Sequence, residues 1–213
     1  MHNEDVNLET EVANASGELE SMLFRIIEVG QHDSNEGLTF QSTTLINSSA
    51  YSVNSTVTND GGWEKCELRK SMNNLEGASE KNIWSLFKTS FTNKILAVPK
   101  KSGKGYNTNG LTETSDKFWL PSYAEITGNL STNFQDGEGR QYAWYKNVAN
   151  VSANNNNSSI ALPLKAGQSS QSWWTRSAYT TFQGAFAVVN SNGYVPIQNN
   201  ANVQNYVAPC FAM

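Results

Sequence analysis

The sequence is poor in the residue types on which catalysis and metal binding most often depend. It contains only two histidines and two cysteines in 213 residues. His2 lies near the N-terminus and His32 lies in a turn-forming stretch, so no Ser-His-Asp, Cys-His or multi-histidine metal site is predicted. The acidic residues of the predicted loops lack the alternating spacing of a calcium-binding loop. We therefore expect a non-enzymatic protein with no catalytic residues, no metal and no cofactor.

Charged residues and long apolar runs are also scarce. Only 16% of the residues are charged, the net charge is −4, and the densest basic stretch is Lys100, Lys101 and Lys104. Nucleic-acid binding would need a basic stripe that releases counterions from phosphates, so no nucleic-acid partner is expected. No apolar run approaches the roughly 20 residues that cross a bilayer, so we expect no membrane insertion. The acidic, polar N-terminus does not resemble a signal peptide.

The two cysteines, Cys66 and Cys210, cannot form a disulfide framework. A single bridge is possible, but two separate buried thiols are the simpler interpretation. Cys66 lies beside Lys65, which could lower the pKa of its thiol, yet its spacing places it on the same helix face as apolar neighbours. The pattern therefore favours a structural thiol at Cys66.

The composition is nevertheless that of a folded protein. Hydrophobic residues make up 38% of the chain and aromatic residues 11%, with six tryptophans. Such a chain has enough apolar surface to offset the entropy lost on folding. Residues 1–21 contain few large apolar side chains, so we predict a flexible or docking N-terminal segment there and one domain over residues 22–213.

Apolar patterning within that domain predicts a mixed α+β fold with short strands and much irregular loop. Strands are predicted at 22–31 and 38–46, and a helix of about three turns from Trp63 to Met72, capped by Asp60. Residues 83–98 are predicted to form a helix and then a strand that ends at Pro99, followed by a loop to Asp116. The remaining predictions are a short strand and a helical turn over 117–128, an Asn-rich surface loop over 150–160, and several short strands in the last 45 residues.

Several motifs occur in a recognisable order along the chain: GGWEKCELRK, FWLPSYAEI, EGRQYAWY, WWTRS, and a closing GYV with VAPCFAM. In this order they resemble C-type-lectin-fold proteins. Over residues 22–213 the chain is similar, more narrowly, to the variable proteins of diversity-generating retroelements. In that family, error-prone reverse transcription at template adenines rewrites asparagine codons in the C-terminal segment. The sugar-binding calcium tripeptides and paired disulfides of C-type lectins are absent from this sequence, so calcium-dependent glycan binding is not expected.

The resemblance implies a C-type-lectin-like fold with two or so helices and a variable C-terminal region at about 173–213. The fixed scaffold would comprise Trp173, Trp174, Phe186, Val188, Gly193, Val207 and Phe211. The ligand-binding, diversified positions would be polar or amphipathic and exposed: Tyr179, Thr181, Gln183, Asn190, Asn192, Tyr194, Asn199, Asn200, Asn202, Gln204, Asn205 and Tyr206. Tyrosine with serine and asparagine is the composition that antibodies use in their binding loops.

The function expected from the resemblance is binding of varied protein ligands on a target cell or surface, by a protein displayed on a virion or a cell surface. Two alternatives remain open. One is a structural virion or cell-surface subunit with a fixed surface, whose Asn-rich face is merely solvated. The other is an enzyme resembling formylglycine-generating proteins, which would require a reactive cysteine pair or a metal.

Beside Trp173 and Trp174, Arg176 is interpreted as a partly buried, hydrogen-bonded core anchor.

Overall fold

A computed structural model describes residues 6–13, 16, 18–30, 37–46, 49–78, 82–151 and 164–213. The structure is 34% strand and 16% helix. Within the described ranges the strands form four separate antiparallel sheets, of four, three, two and two strands. The predicted α+β, C-type-lectin-like fold is therefore wrong, because this is a mostly β structure of small sheets. The helices are too short to form a layer, since each spans only four to seven residues.

The largest sheet joins both ends of the described chain. It contains β1 (Val6–Ala13), β2 (Leu19–Val29), β3 (Leu38–Ser42) and β11 (Cys210–Ala212), in the order β1-β2-β3-β11. The two strands predicted from the apolar runs after Met22 are confirmed as β2 and β3. β2 begins at Leu19 and pairs with β1, so residues assigned from sequence to a separate N-terminal segment lie in the same sheet as the C-terminal strand.

The three-stranded sheet carries most of the C-terminal region. Its strands are β8 (Trp173–Ala178), β9 (Ala185–Val189) and β10 (Ile197–Asn200), in the order β10-β9-β8. Every residue of β8 and β9 is buried, whereas β10 is an edge strand with three exposed residues and one half-buried residue. The several short strands predicted for the last 45 residues are confirmed. The sheet therefore presents an exposed edge on a buried support.

The two remaining sheets are hairpins, and one of them overturns a loop prediction. β4 (Val98–Gly103) pairs with β5 (Leu111–Asp116), and β6 (Leu164–Ala166) pairs with β7 (Ser169–Gln171). Pro99 does not end a strand but lies inside β4, where it is tolerated because both strands of a two-stranded sheet are edge strands.

The helices are α1 (Gly62–Lys65), α2 (Glu67–Asn73), a 3-10 helix at Ile83–Leu86, α3 (Thr89–Thr92), α4 (Tyr123–Thr127) and α5 (Ala143–Asn147). The predicted three-turn helix is wrong, because Cys66 adopts an extended conformation and separates α1 from α2. The thiol sulfur of Cys66 instead accepts a hydrogen bond from the Arg69 N–H at 3.4 Å. Asp60 does not cap a helix, since Gly61 stands at the N-cap without a side-chain bond.

The core is densely aromatic. Phe24, Phe91, Phe118 and Phe211 contact one another with ring centroids 4.9 to 6.3 Å apart. All of the apolar scaffold residues implied by the resemblance are buried: Trp173, Trp174, Phe186, Val188, Gly193, Val207 and Phe211. In the part of the chain that the structure describes, no helix is long and apolar enough to cross a membrane. Most of the predicted Asn-rich loop, residues 152–160, lies outside the described residues.

Candidate binding surface

Most of the predicted ligand-binding residues reach solvent. Those that are exposed are Thr181, Gln183, Asn192, Asn200, Asn202 and Gln204. Those that are half-buried are Asn190, Tyr194, Asn199 and Tyr206. The exposed and half-buried residues of this set, together with exposed neighbours in the same loops and strand, are called the C-terminal surface below.

Two of the predicted positions are not surface residues. Tyr179 is only 3% exposed and Asn205 only 6%. The ring of Tyr179 packs 4.7 Å from that of Phe134, and burial raises the pKa of its hydroxyl to about 12. Asn205 exchanges two backbone hydrogen bonds with Tyr51, at 2.7 and 3.0 Å, which draws its side chain inward. Both residues support the C-terminal surface from beneath.

The loop from Tyr179 to Gly184 is held by one buried amide from a distant part of the chain. Asn59 is fully buried, and its Nδ2 donates to the carbonyl oxygens of Tyr179 at 2.8 Å, Phe182 at 3.1 Å and Ala185 at 2.9 Å. Its Oδ1 accepts from the Gly184 N–H at 3.0 Å. Buried backbone groups need such partners, so Asn59 fixes the course of a loop that could otherwise adopt many conformations.

A second set of contacts fixes the other side of this loop. The Thr180 N–H donates to the Asn133 carbonyl at 2.9 Å, and the Thr181 hydroxyl donates to Asn133 Oδ1 at 3.1 Å. The Asn107 N–H donates to the Thr180 carbonyl at 3.1 Å. The loop is therefore bound by segments on both sides, while residues 181–183 remain exposed.

Apolar side chains accompany the amides on this surface. Phe182 is 46% exposed and its ring lies 5.6 Å from that of Tyr179. Ile197 and Val203 are each 40% exposed. Val57 lies next to Gly184, where an added Cβ would meet Val57 Cγ1 at 2.6 Å. Sequence reasoning missed these residues, since it sought polar positions, and large apolar residues are ordinarily expected inside.

Asn190 is structural in spite of its partial exposure. Its Oδ1 accepts from the Asn192 N–H at 3.0 Å and from the Tyr194 N–H at 2.9 Å. Its backbone also pairs with those of Gly193 and Tyr194. This is the local side-chain bonding by which asparagine stabilises turns. Asn192 and Tyr194 are thereby presented at the tip of the β9–β10 connection.

A buried ionic cluster supports β8 below the loop. Arg176 is fully buried and donates to both carboxylate oxygens of Glu125 and to the carbonyl of Leu120, the last at 2.8 Å. Burial alone would lower the pKa of Arg176, but the Glu125 carboxylate raises it overall. Ser177 donates to the buried carboxylate of Glu138, whose pKa is raised by burial. The structural interpretation of Arg176 is confirmed, and its burial is complete rather than partial.

The C-terminal surface is electrically neutral. From Ser177 to Met213 the sequence contains no Asp, Glu, Lys, Arg or His. The surface can therefore bind through amide and hydroxyl hydrogen bonds, aromatic contacts and apolar burial, with no ion pair from its own side chains.

Two further features of the described ranges concern metal-ligating side chains and thiols. No group of three or more His, Cys, Asp or Glu side chains that could hold a metal occurs among the residues described. Cys66 and Cys210 are free and buried. Burial raises the pKa of the Cys66 thiol to about 12 and also raises that of Cys210. Such thiols are protonated at neutral pH and are poor nucleophiles.

The C-terminal surface thus consists of uncharged amide, hydroxyl, aromatic and apolar side chains on a mostly β support. The chain belongs to the DUF6273 family, a domain of unknown function, whose profile matches residues 36–213. The matched range begins just before β3 and ends with β11, so it contains the whole C-terminal surface. No curated protein and no solved structure matches the chain.

Proposed function

We propose that this chain is a non-enzymatic ligand-binding protein that contacts a protein ligand through its C-terminal surface. The observation that carries the proposal is the rigid support of an exposed loop, in which buried Asn59 holds the 179–184 backbone while Thr181, Phe182 and Gln183 face solvent. A backbone fixed before binding loses less entropy when a ligand docks.

The side chains at the surface suit recognition of a protein. Tyrosine and phenylalanine supply large contact area with few rotatable bonds, and asparagine and glutamine adapt their hydrogen bonds to different partners. Phe182 is an exposed aromatic residue beside them, and aromatic anchors carry much of the binding energy at interfaces. Ile197 adds exposed apolar surface that a ligand can cover. Because the surface lacks charge, its affinity would depend little on salt.

We further propose that this surface is diversified by a retroelement and displayed on a virion or a cell. The exposed asparagines Asn192, Asn200 and Asn202 support this idea, because they lie among buried residues that could stay constant, such as Gly193 and Ala201. Substitution at exposed positions usually changes stability by less than about 0.5 kcal/mol, so the fold would tolerate repeated rewriting there.

Sequencing the DNA around the gene tests the diversification. The expected result is a near-copy of the segment encoding residues 173–213 with mismatches confined to adenines, together with a reverse-transcriptase gene. If no copy and no such gene occurs, diversification is refuted, and a fixed binding surface is the form of the proposal that is left.

A protein-level experiment tests the binding surface itself. Against a ligand identified by selection, Phe182→Ala and Tyr194→Ala should each weaken binding at least tenfold, or about 1.4 kcal/mol. Lys94→Ala, which changes an exposed residue outside this surface, serves as the control and should stay within threefold. Affinities within threefold for all three folded variants would place the ligand elsewhere.

A further inference from the structure

A surface groove of about 490 Å³ lies between α4 and α5. Its walls come from residues 128–130 and 139–141 and from the exposed face of α5, with Leu130, Arg140, Gln141 and Lys146 contributing side chains. Its volume falls within the range of about 300 to 1,000 Å³ that is typical of ligand sites. None of its lining residues belongs to the C-terminal surface.

The backbone at the floor of the groove is closely packed at two glycines. Gly128 has a φ of +70° and Gly139 a φ of +129°, and a Cβ at either position would lie 2.8 Å from an atom of Gln141 or Glu125. Gln141 Nε2 donates to the carbonyl of Ile126 at 2.9 Å and to that of Val151 at 2.7 Å. These contacts join the two walls, so the groove exists before any ligand arrives.

Two cations give the groove its charge. Lys146 is exposed, and the Arg140 side chain is 58% exposed although its Nη1 lies 3.3 Å from Glu28 Oε2. Glu28 is itself 5% exposed, and its carboxylate also accepts the N–H of Ala143 at 3.1 Å and that of Val29 at 3.2 Å. Glu28 lies inside the protein and compensates part of the charge of Arg140, while Arg140 and Lys146 both line the groove. An acidic ligand would meet favourable local charge in a protein whose net charge is −4.

An apolar side chain stands at the rim of the same groove. Leu130 is 73% exposed, the highest value among the large hydrophobic residues that the structure describes. Covering an exposed leucine removes apolar surface from water and favours association. The neighbouring Gly128 is exposed too, so the rim is low and the groove stays open along this side.

We infer that the groove between α4 and α5 binds a short acidic peptide segment that also carries an aliphatic side chain. Carboxylates of the segment pair with Arg140 and Lys146, and its aliphatic side chain covers Leu130. Enclosed sites for small molecules bury most of their ligand, whereas this open groove suits a segment laid across it. The inference does not depend on the proposed function, because the two sites share no residue.

Titration with a defined peptide tests this site. The probe is an acetylated and amidated hexapeptide of alternating glutamate and leucine, and the control peptide has glutamine in place of glutamate. Binding is followed by backbone amide chemical shifts. We expect saturable changes confined to residues 124–147, at least tenfold weaker binding of the glutamine peptide, and weakening of the glutamate peptide by salt.

Protein variants separate charge from apolar contact. Arg140→Gln with Lys146→Gln should weaken the glutamate peptide at least tenfold, and Leu130→Asn should weaken both peptides. Lys94→Gln removes an exposed charge outside the groove and should stay within twofold. The inference is overturned if the wild-type protein shows no saturable binding at millimolar peptide, if the shifts map to another surface, or if the double variant binds as tightly as Lys94→Gln.

Discussion

Asn59 offers the sharpest test of how the C-terminal surface is supported. Replacing it by alanine removes the donor to the Tyr179, Phe182 and Ala185 carbonyls and the acceptor for the Gly184 N–H. Each buried group left without a partner costs about 1–3 kcal/mol, but the nearby exposed residues allow water to satisfy some of them. We therefore expect Asn59→Ala to lower the free energy of unfolding by about 3 kcal/mol.

That loss is measurable by two methods. For a chain of this size about 3 kcal/mol corresponds to a fall of roughly 6–12 °C in the midpoint of thermal unfolding. Hydrogen exchange should speed up at the Gly184 amide, which loses its acceptor, and at the Thr180 amide, since the loop is less restrained.

A matched control variant distinguishes local support from general loss of stability. Asn73 makes an equivalent set of bonds elsewhere, donating to the Arg69 and Phe118 carbonyls and accepting the Lys117 and Phe118 N–H groups. Asn73→Ala should destabilise the protein to a similar degree but leave exchange at Thr180 and Gly184 unchanged relative to global unfolding. A loss below about 1 kcal/mol for Asn59→Ala, with unchanged loop exchange, would refute the role given to Asn59.

Three further predictions concern buried ionisable groups. Arg176→Met should lower the free energy of unfolding by about 3–5 kcal/mol in urea titrations, because Glu125 loses its bidentate partner inside the protein; a loss under 1 kcal/mol would contradict this. Burial raises the pKa of Glu138, so its carboxyl group binds a proton more tightly in the folded state than in the unfolded state. The wild-type free energy of unfolding should therefore fall as pH rises above about 4.5. Glu138→Gln should reduce this fall in urea titrations between pH 4.5 and 8, and an unchanged slope would be the contrary result. Cys66 and Cys210 should resist a thiol-labelling reagent at pH 7 and both react in guanidinium chloride, whereas rapid labelling of the native protein would contradict their burial.

The parts of the fold that sequence reasoning predicted are those where side-chain pattern and structure coincide. The apolar, β-branched run from Met22 predicted β2, and the helical turn predicted within residues 117–128 is confirmed as α4, where Tyr123 and Ile126 are buried. Trp173 and Trp174 also lie in the core as expected. In each case the apolar residues that indicate the structure lie within the element itself.

The failures arise where polar groups are buried by partners distant in sequence. The β4–β5 hairpin looked like a loop, because Lys100, Thr114 and Asp116 are buried polar residues rather than an apolar strand face. Lys100 is stabilised inside by the Tyr142 hydroxyl at 3.0 Å and by the ring of Trp119, 4.3 Å away. The spacing of apolar residues along the sequence does not indicate such contacts between a buried lysine and distant aromatic residues.

The exposure expected for the candidate residues is found at most positions but not at Tyr179 and Asn205, for the same reason. Asparagine and tyrosine residues marked the region, but the sequence could not separate Asn192, which is exposed, from Asn205, which is buried. Asn59 carried no local signal at all, since the three carbonyl groups to which it donates lie 120 to 126 residues further along the chain. Such residues are found only once the fold has brought the segments together.

The two ends of the C-terminal region are anchored in different sheets, β8 in the three-stranded sheet and β11 in the four-stranded one. A segment tethered at both ends in this way can change length as well as sequence. Lengthening a flexible loop costs only about 0.6 kcal/mol for each doubling, so insertions at the exposed residues 191–192 or 202–204 should be accepted by the fold. The protein could therefore reshape the contour of this face, and not only its chemistry, while its interior stays as it is.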